Sequence, residues 1–186
     1  MNNAESNVVM TLPVEKQPVA RVLSDDAYRR IDREVSKFPA DGKGSAVMAA
    51  LGIAQKEKGW LSVQVMADVA SYLGLPAIAV QEVATFYNMY NTRPVGRHKI
   101  TVCTNLPCAL SGGALAGEYL QASLGIGYNE TTADGAFTLQ EGECLGACGD
   151  APVMLVDNER MVSWMSNDKI DALLEELSVV RVGETR

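Results

Sequence analysis

Four cysteines hold the densest concentration of metal-ligating and redox-capable groups in this 186-residue chain. Cys103 and Cys108 are spaced C-x4-C, and after 35 intervening residues Cys144 and Cys148 are spaced C-x3-C. Four soft thiolates in tetrahedral arrangement suit zinc and iron-sulfur clusters alike. Structural zinc sites usually draw their cysteines from tight C-x2-C turns that put both sulfurs on one ion, and these spacings are wide for that knuckle. In a 2Fe-2S cluster each iron takes two thiolates, so one loop can serve each iron and a wider loop is tolerated. Spacing therefore favours a cluster while leaving zinc, or plain buried thiols, as alternatives. Thiol-disulfide exchange fits less well, because neither pair is C-x-x-C.

The neighbours of the cysteines agree with an anionic cofactor. Pro107 beside Cys108 reads as the start of a helix whose positive end and free N–H groups would face sulfur. Gly142, Gly146 and Gly149 bracket the second pair, where the backbone must bend closely around a cofactor. Glu141, Glu143 and Asp150 act against reduction by adding negative charge nearby.

The elements that must position these cysteines follow from periodicity. Residues 1–23 hold Pro13 and Pro18 without a sustained period and read as a flexible arm. Ser24 caps a first helix from Asp25 with Tyr28, Ile31, Val35 and Phe38 on one side. A second helix runs from about Ser45 to Lys58 and ends at Gly59. Ser62 caps a third with Val65, Met66, Val69, Ala70 and Leu73 inward, closed by Gly74. Pro76 opens a fourth whose expected buried positions are Ile78, Val83 and Phe86. These make a bundle-like helical domain over residues 24–95.

After Pro94 the pattern changes. HKITVCT, residues 98–104, reads as a strand ending at the first cysteine, followed by a mostly helical segment to Leu124. Ala136–Gln140 is a second strand, and residues 152–156 and 160–163 form a hairpin around Asp157 and Asn158. Asn167 or Asp168 caps a last helix through Leu177. The expected fold is α/β (α+β), with a four-stranded sheet in residues 96–186.

Composition narrows the partners. The net charge of −7 is uneven: residues 99–186 carry 5 Lys+Arg against 13 Asp+Glu. Such a surface repels nucleic acid and suits a basic protein face. No run approaches the roughly 18 apolar residues that would span a bilayer, and the N-terminus lacks a targeting pattern, so a cytosolic protein is expected. There disulfides are uncommon, and clustered cysteines more often bind metal. Other candidates have ordinary readings. His98, the one histidine, suits plain hydrogen bonding; Phe86, Tyr87 and Tyr90 divide between core and partner surface; Glu175 and Glu176 suit a solvated helix face. Ser111, Gly112 and Gly113 do not form a phosphate loop.

CTNLPC together with ECLGACGDAPVM resembles the 2Fe-2S site of the thioredoxin-like ferredoxin family, in the form found in NADH-quinone oxidoreductase, respiratory complex I. EVATFYNMYNTRPVGRH, residues 82–98, is similar to that family's helix end and connector, and the likeness runs from about Asp25 to Leu177. The resemblance implies a thioredoxin-like C-terminal domain after a helical one. It also implies one 2Fe-2S cluster, with Cys103 and Cys108 on one iron and Cys144 and Cys148 on the other. Catalysis would lie on a partner chain holding FMN and NAD(H), with this chain carrying electrons in the peripheral arm of the membrane-associated complex, on its cytoplasmic side. A diaphorase subunit of a NAD-linked formate dehydrogenase or NAD-reducing hydrogenase is the alternative within the same family. A zinc-stabilised interaction module is the remote one.

Overall fold

Ser24 Oγ accepts the Ala27 N–H at 3.2 Å, and Ser62 Oγ accepts that of Val65 at 3.2 Å. Each hydroxyl satisfies an N–H that a helix start leaves unpaired. These caps open α1 (Asp25–Val35) and α3 (Val63–Leu73). Between them lie a 3-10 turn, Ala40–Ala46, and α2 (Val47–Lys58); α4 (Ala77–Phe86) follows the left-handed Gly74 that ends α3. The computed structural model describes residues 19–179. Residues 1–18 of the expected arm therefore lie outside the described residues.

The four helices enclose one core, built on Ile31, Leu51, Leu61, Val69 and Val80, each fully buried. Each such side chain contributes roughly 1.5–3 kcal/mol by leaving water. A buried carboxylate organises its entrance. Asp68 Oδ2 accepts the N–H groups of Val22 (2.9 Å) and Leu23 (3.1 Å) and the Tyr28 hydroxyl (2.7 Å). Burial, then the bond to Asp68, pushes the Tyr28 phenol up to about 12.

The phase of α4 differs from expectation. Val80 and Ala84 are buried and Val83 packs against the same core as expected, whereas Ile78 is 61% and Phe86 79% exposed. Its apolar run is nearly continuous, so periodicity alone permits several phases, and packing on α3 selects the pair four residues apart. Tyr90 is buried with its hydroxyl on Met48 O, while its edge-on neighbour Tyr87 is partly exposed.

The second half is a five-stranded sheet in the order β2-β3-β1-β4-β5, comprising β1 (His98–Cys103), β2 (Glu130–Thr131), β3 (Phe137–Gly142), β4 (Met154–Val156) and β5 (Arg160–Val162). Four strands were expected; β2 is the addition, and two residues are too few to show alternation. Strands β1 and β3 are parallel, joined by α5 (Leu106–Leu110) and α6 (Gly113–Leu124); the other pairings are antiparallel. The β4–β5 turn carries Asp157 and Asn158 at φ 54° and 61°, the left-handed pair a tight hairpin needs. Helix α7 (Asn167–Ser178) is capped by Ser166 rather than Asn167 or Asp168. Its Glu176 pairs with Arg160 of β5, so the acidic pair is not wholly a solvated face. A second core forms around Ile100, Val102, Leu120, Leu139, Met154 and Ile170.

Candidate metal centre

Strand β1 ends at Cys103, paired in register with Gly142 at the end of β3. Three residues further on, α5 begins and carries Cys108. Both cysteines are essentially buried, at 2% and 1% exposure, and pack with the fully buried Val153. Cys144 lies on the loop after β3 and Cys148 opens a short 3-10 turn to Asp150; both are exposed.

Val153 is the hub of the inner pair. Its carbonyl accepts the Cys103 N–H at 3.1 Å, and its own N–H donates to the Cys108 sulfur. A helix does start beside Pro107, as expected. The helix has five residues and Cys108 sits within it, and the N–H that reaches that sulfur comes from Val153, on the segment just before β4. Burial foremost, then the hydrogen bond with the Cys103 thiol, pushes the Cys108 thiol up; the charges of Cys103 and Cys148 add to that, and the Val153 N–H opposes it.

The structure gathers the cysteines in part. Cys103 and Cys108 touch, and Cys148 is close enough to act on Cys108 electrostatically. Among the described residues, no three or more His, Cys, Asp or Glu side chains are drawn together as a group that could hold a metal ion. Cys144 stays on the exposed side of the loop. The donor set nevertheless suits an iron-sulfur group: four thiols on two segments, one pair in a dry wall and the other on a loop with Gly146 at φ 74°.

Glycines determine how closely the surrounding chain approaches. A Cβ on Gly113 would lie 2.8 Å from the carbonyl oxygens of both Cys103 and Cys108, so only glycine lets α6 start against the inner pair. A Cβ on Gly142 would meet Thr101 Cγ2 at 2.6 Å, while a Cβ on Gly149 would meet no protein atom within 4 Å. The nearby acids are partly engaged: Thr104 Oγ1 donates to Glu141 Oε1 at 2.8 Å.

Several contributors escaped the sequence reading. The Trp164 N–H donates to Asp150 O at 2.9 Å and the Met165 N–H to Pro152 O at 3.1 Å, tying the segment after Cys148 to the end of β5. Leu106 and Leu110, on either side of Cys108, and Leu115 and Trp164, which share a groove with Ser111 and Pro152, expose between 58% and 81% of their surface. The LPCAL segment, apolar on both sides of Cys108, was the available signal. His98 makes the ordinary contact expected of it, with Nδ1 2.8 Å from Asp157 Oδ2.

Known proteins resemble this arrangement. The chain is 36% identical over 153 residues to NADH-quinone oxidoreductase subunit 2 of Thermus thermophilus, covering 82% of this chain and 84% of that protein. It is 43% identical over 145 residues to one of the NADH-quinone oxidoreductase subunits of Rhizobium meliloti, covering 78% and 84%. A crystal structure of NAD+-reducing NiFe hydrogenase in the H2-reduced state matches with a TM-score of 0.59 and 26% identity, over 68% of this chain and 22% of that one. The model of one family matches residues 31–178, all four cysteines included, and the chain therefore belongs to the thioredoxin-like 2Fe-2S ferredoxins.

Proposed function

We propose that this chain is an electron-transfer subunit of an NADH-quinone oxidoreductase, holding one 2Fe-2S cluster on Cys103 and Cys108 for one iron and Cys144 and Cys148 for the other. The observation carrying this reading is the buried Cys103–Cys108 pair, with Cys148 beside it, inside a chain of this family. The cluster, when bound, supplies one-electron chemistry. The chain's own contribution is to hold it. Val153 and Gly113 bring backbone close around the inner pair, and the left-handed Gly146 bends the outer loop.

The catalytic site for NADH lies, in this reading, on a partner chain that binds FMN and NAD(H), and the electron is exchanged with that flavin. The exposed apolar residues beside Cys108 and the acidic C-terminal half suit a protein partner with a basic rim. Among the described residues no helix is long and apolar enough to cross a membrane, which is compatible with a place in the peripheral arm on the cytoplasmic side. We take residues 24–95 as the helical domain and 96–186 as the cluster domain.

Purified protein carrying about two irons and two sulfides per chain, with visible absorption and an EPR signal on reduction, is the expected result. A colourless protein with one zinc overturns it. The hydrogenase match favours a second reading, the equivalent diaphorase subunit of a NAD-reducing hydrogenase. Identifying the chain that copurifies, quinone-reducing complex or hydrogenase, separates the two.

A further inference from the structure

A cavity of about 520 Å³ opens between the two cores, away from the cysteines. Its walls come from α2 (Gly52, Gln55, Lys56), the connector (Met89, Asn91, Val95), β1 (Lys99) and the β4–β5 turn (Asp157–Glu159). Its size falls within the roughly 300–1,000 Å³ of small-molecule sites. Gln55 Nε2 and Asn158 Nδ2 both donate to Met89 O, and Lys56 pairs with Glu159 at 2.7 Å, so most polar groups in the wall are already engaged.

Lys99 differs from its neighbours. It is 3% exposed, and its Nζ makes one hydrogen bond among the described residues, to Asn91 Oδ1 at 2.8 Å. An ammonium carries three donors, so two N–H groups remain beyond that bond on a residue that lines the cavity. Burial draws its pKa down to about 8, with the nearby Asp157 opposing in part. A buried cation so incompletely satisfied is costly without an anion.

Gly52 is an independent observation. It stands inside α2, where glycine costs roughly 1 kcal/mol relative to alanine, and a Cβ there would meet nothing within 4 Å. No close approach in the fold requires glycine at this position. What its missing side chain preserves is the open volume of the cavity.

We propose that this cavity binds a small organic monocarboxylate, its carboxylate accepting the two remaining N–H groups of Lys99 and its apolar part lying against Met89, Tyr90 and Val95. Of the two lysines in the wall, Lys56 is paired with Glu159, whereas Lys99 is bonded to an uncharged amide and draws only part of its opposing charge from Asp157, so one further negative charge suits it. A dianion such as phosphate is disfavoured, because the Asp157 and Glu159 carboxylates share the wall. Since the walls come from both cores, a bound acid holds the helices against the sheet.

The test titrates cluster-loaded, full-length protein with phenylacetate by calorimetry at pH 7, with phenylacetamide as the uncharged isostere and inorganic phosphate as the dianion. Saturable binding of phenylacetate is expected, weakened at least about tenfold for phenylacetamide and for phosphate. Lys99→Met and Gly52→Leu should each weaken phenylacetate by at least about tenfold, and Lys56→Gln by less than about twofold. A Cβ at Gly52 meets nothing within 4 Å and leucine is a good helix former, so Gly52→Leu is the variant expected to fold and the test does not depend on Lys99→Met folding. No saturation with wild-type protein overturns the proposal. So does equal binding of phenylacetamide or phosphate, or unchanged affinity in Gly52→Leu.

Discussion

Gly113→Ala tests whether the close approach of α6 shapes the cysteine site. The added methyl would lie 2.8 Å from two carbonyl oxygens, those of Cys103 and Cys108, short of an ordinary 3.4 Å contact by about 0.6 Å each. Backbone atoms cannot rotate aside as a side chain can, so α6 or the α5 turn must shift, and overpacking of this kind costs typically about 1–3 kcal/mol. Alanine recovers at most about 1 kcal/mol of helix propensity, and less at a first helical residue. The net loss should be about 1–2 kcal/mol, a fall in Tm of about 2–8 °C for a chain of this size, with a lower iron content. Gly149→Ala is the internal control: it lies on the same loop as Cys148, places its Cβ within 4 Å of no protein atom, has no positive φ, and should stay within about 0.5 kcal/mol. Calorimetric melting with iron and sulfide analysis measures both variants. A Tm for Gly113→Ala equal to that of Gly149→Ala, with normal iron, would refute the steric argument.

Three further outcomes are expected. Cys103→Ser and Cys144→Ser should each disrupt the cluster while His98→Gln leaves it, as read by iron and sulfide content; normal content in both cysteine variants would remove the ligand assignment. Asp68→Ala strips the acceptor from two backbone N–H groups and the Tyr28 hydroxyl, and should cost about 2–4 kcal/mol by urea unfolding, whereas a loss under about 0.5 kcal/mol would show the carboxylate to be dispensable. Stability should rise between about pH 8 and pH 10.5: the unfolded chain keeps the Lys99 proton there after the folded chain has released it, so the unfolded state binds more protons and the burial penalty, full below pH 8, is relieved. Unfolding free energies of wild type and Lys99→Met from denaturant titrations should diverge across that window by at most about 3 kcal/mol, and parallel curves would refute it.

What was legible in the sequence was local. The caps at Ser24 and Ser62, the left-handed stop at Gly74 and the Asp157–Asn158 hairpin each depend on residues within four positions, and all appear as read. Strand β1 was readable for the same reason, since its β-branched run ends on Cys103. What failed needed tertiary information. The phase of α4 is decided by α3, β2 exists because β3 offers an edge to pair with, and Asp68 looks like an interruption of an apolar stripe until Val22, Leu23 and Tyr28 are seen around it.

The candidate site divides along the same line. Its donor atoms were readable because thiol chemistry belongs to the residue type and the spacing belongs to the chain. Its support was not. Val153 serves Cys103 and Cys108 through backbone groups that any residue would carry, from the segment before β4, 45 residues beyond Cys108, and Gly113 matters only because two carbonyls lie where its Cβ would be. The three glycines around the outer pair differ in what confines them: Gly142 is held by Thr101 and Gly146 is left-handed, whereas a Cβ on Gly149 would meet no protein atom within 4 Å. Proximity in sequence identifies which residues can bind iron. Only the distances across the sheet identify which ones hold those ligands in place, and there the variants Gly113→Ala and Gly149→Ala should part.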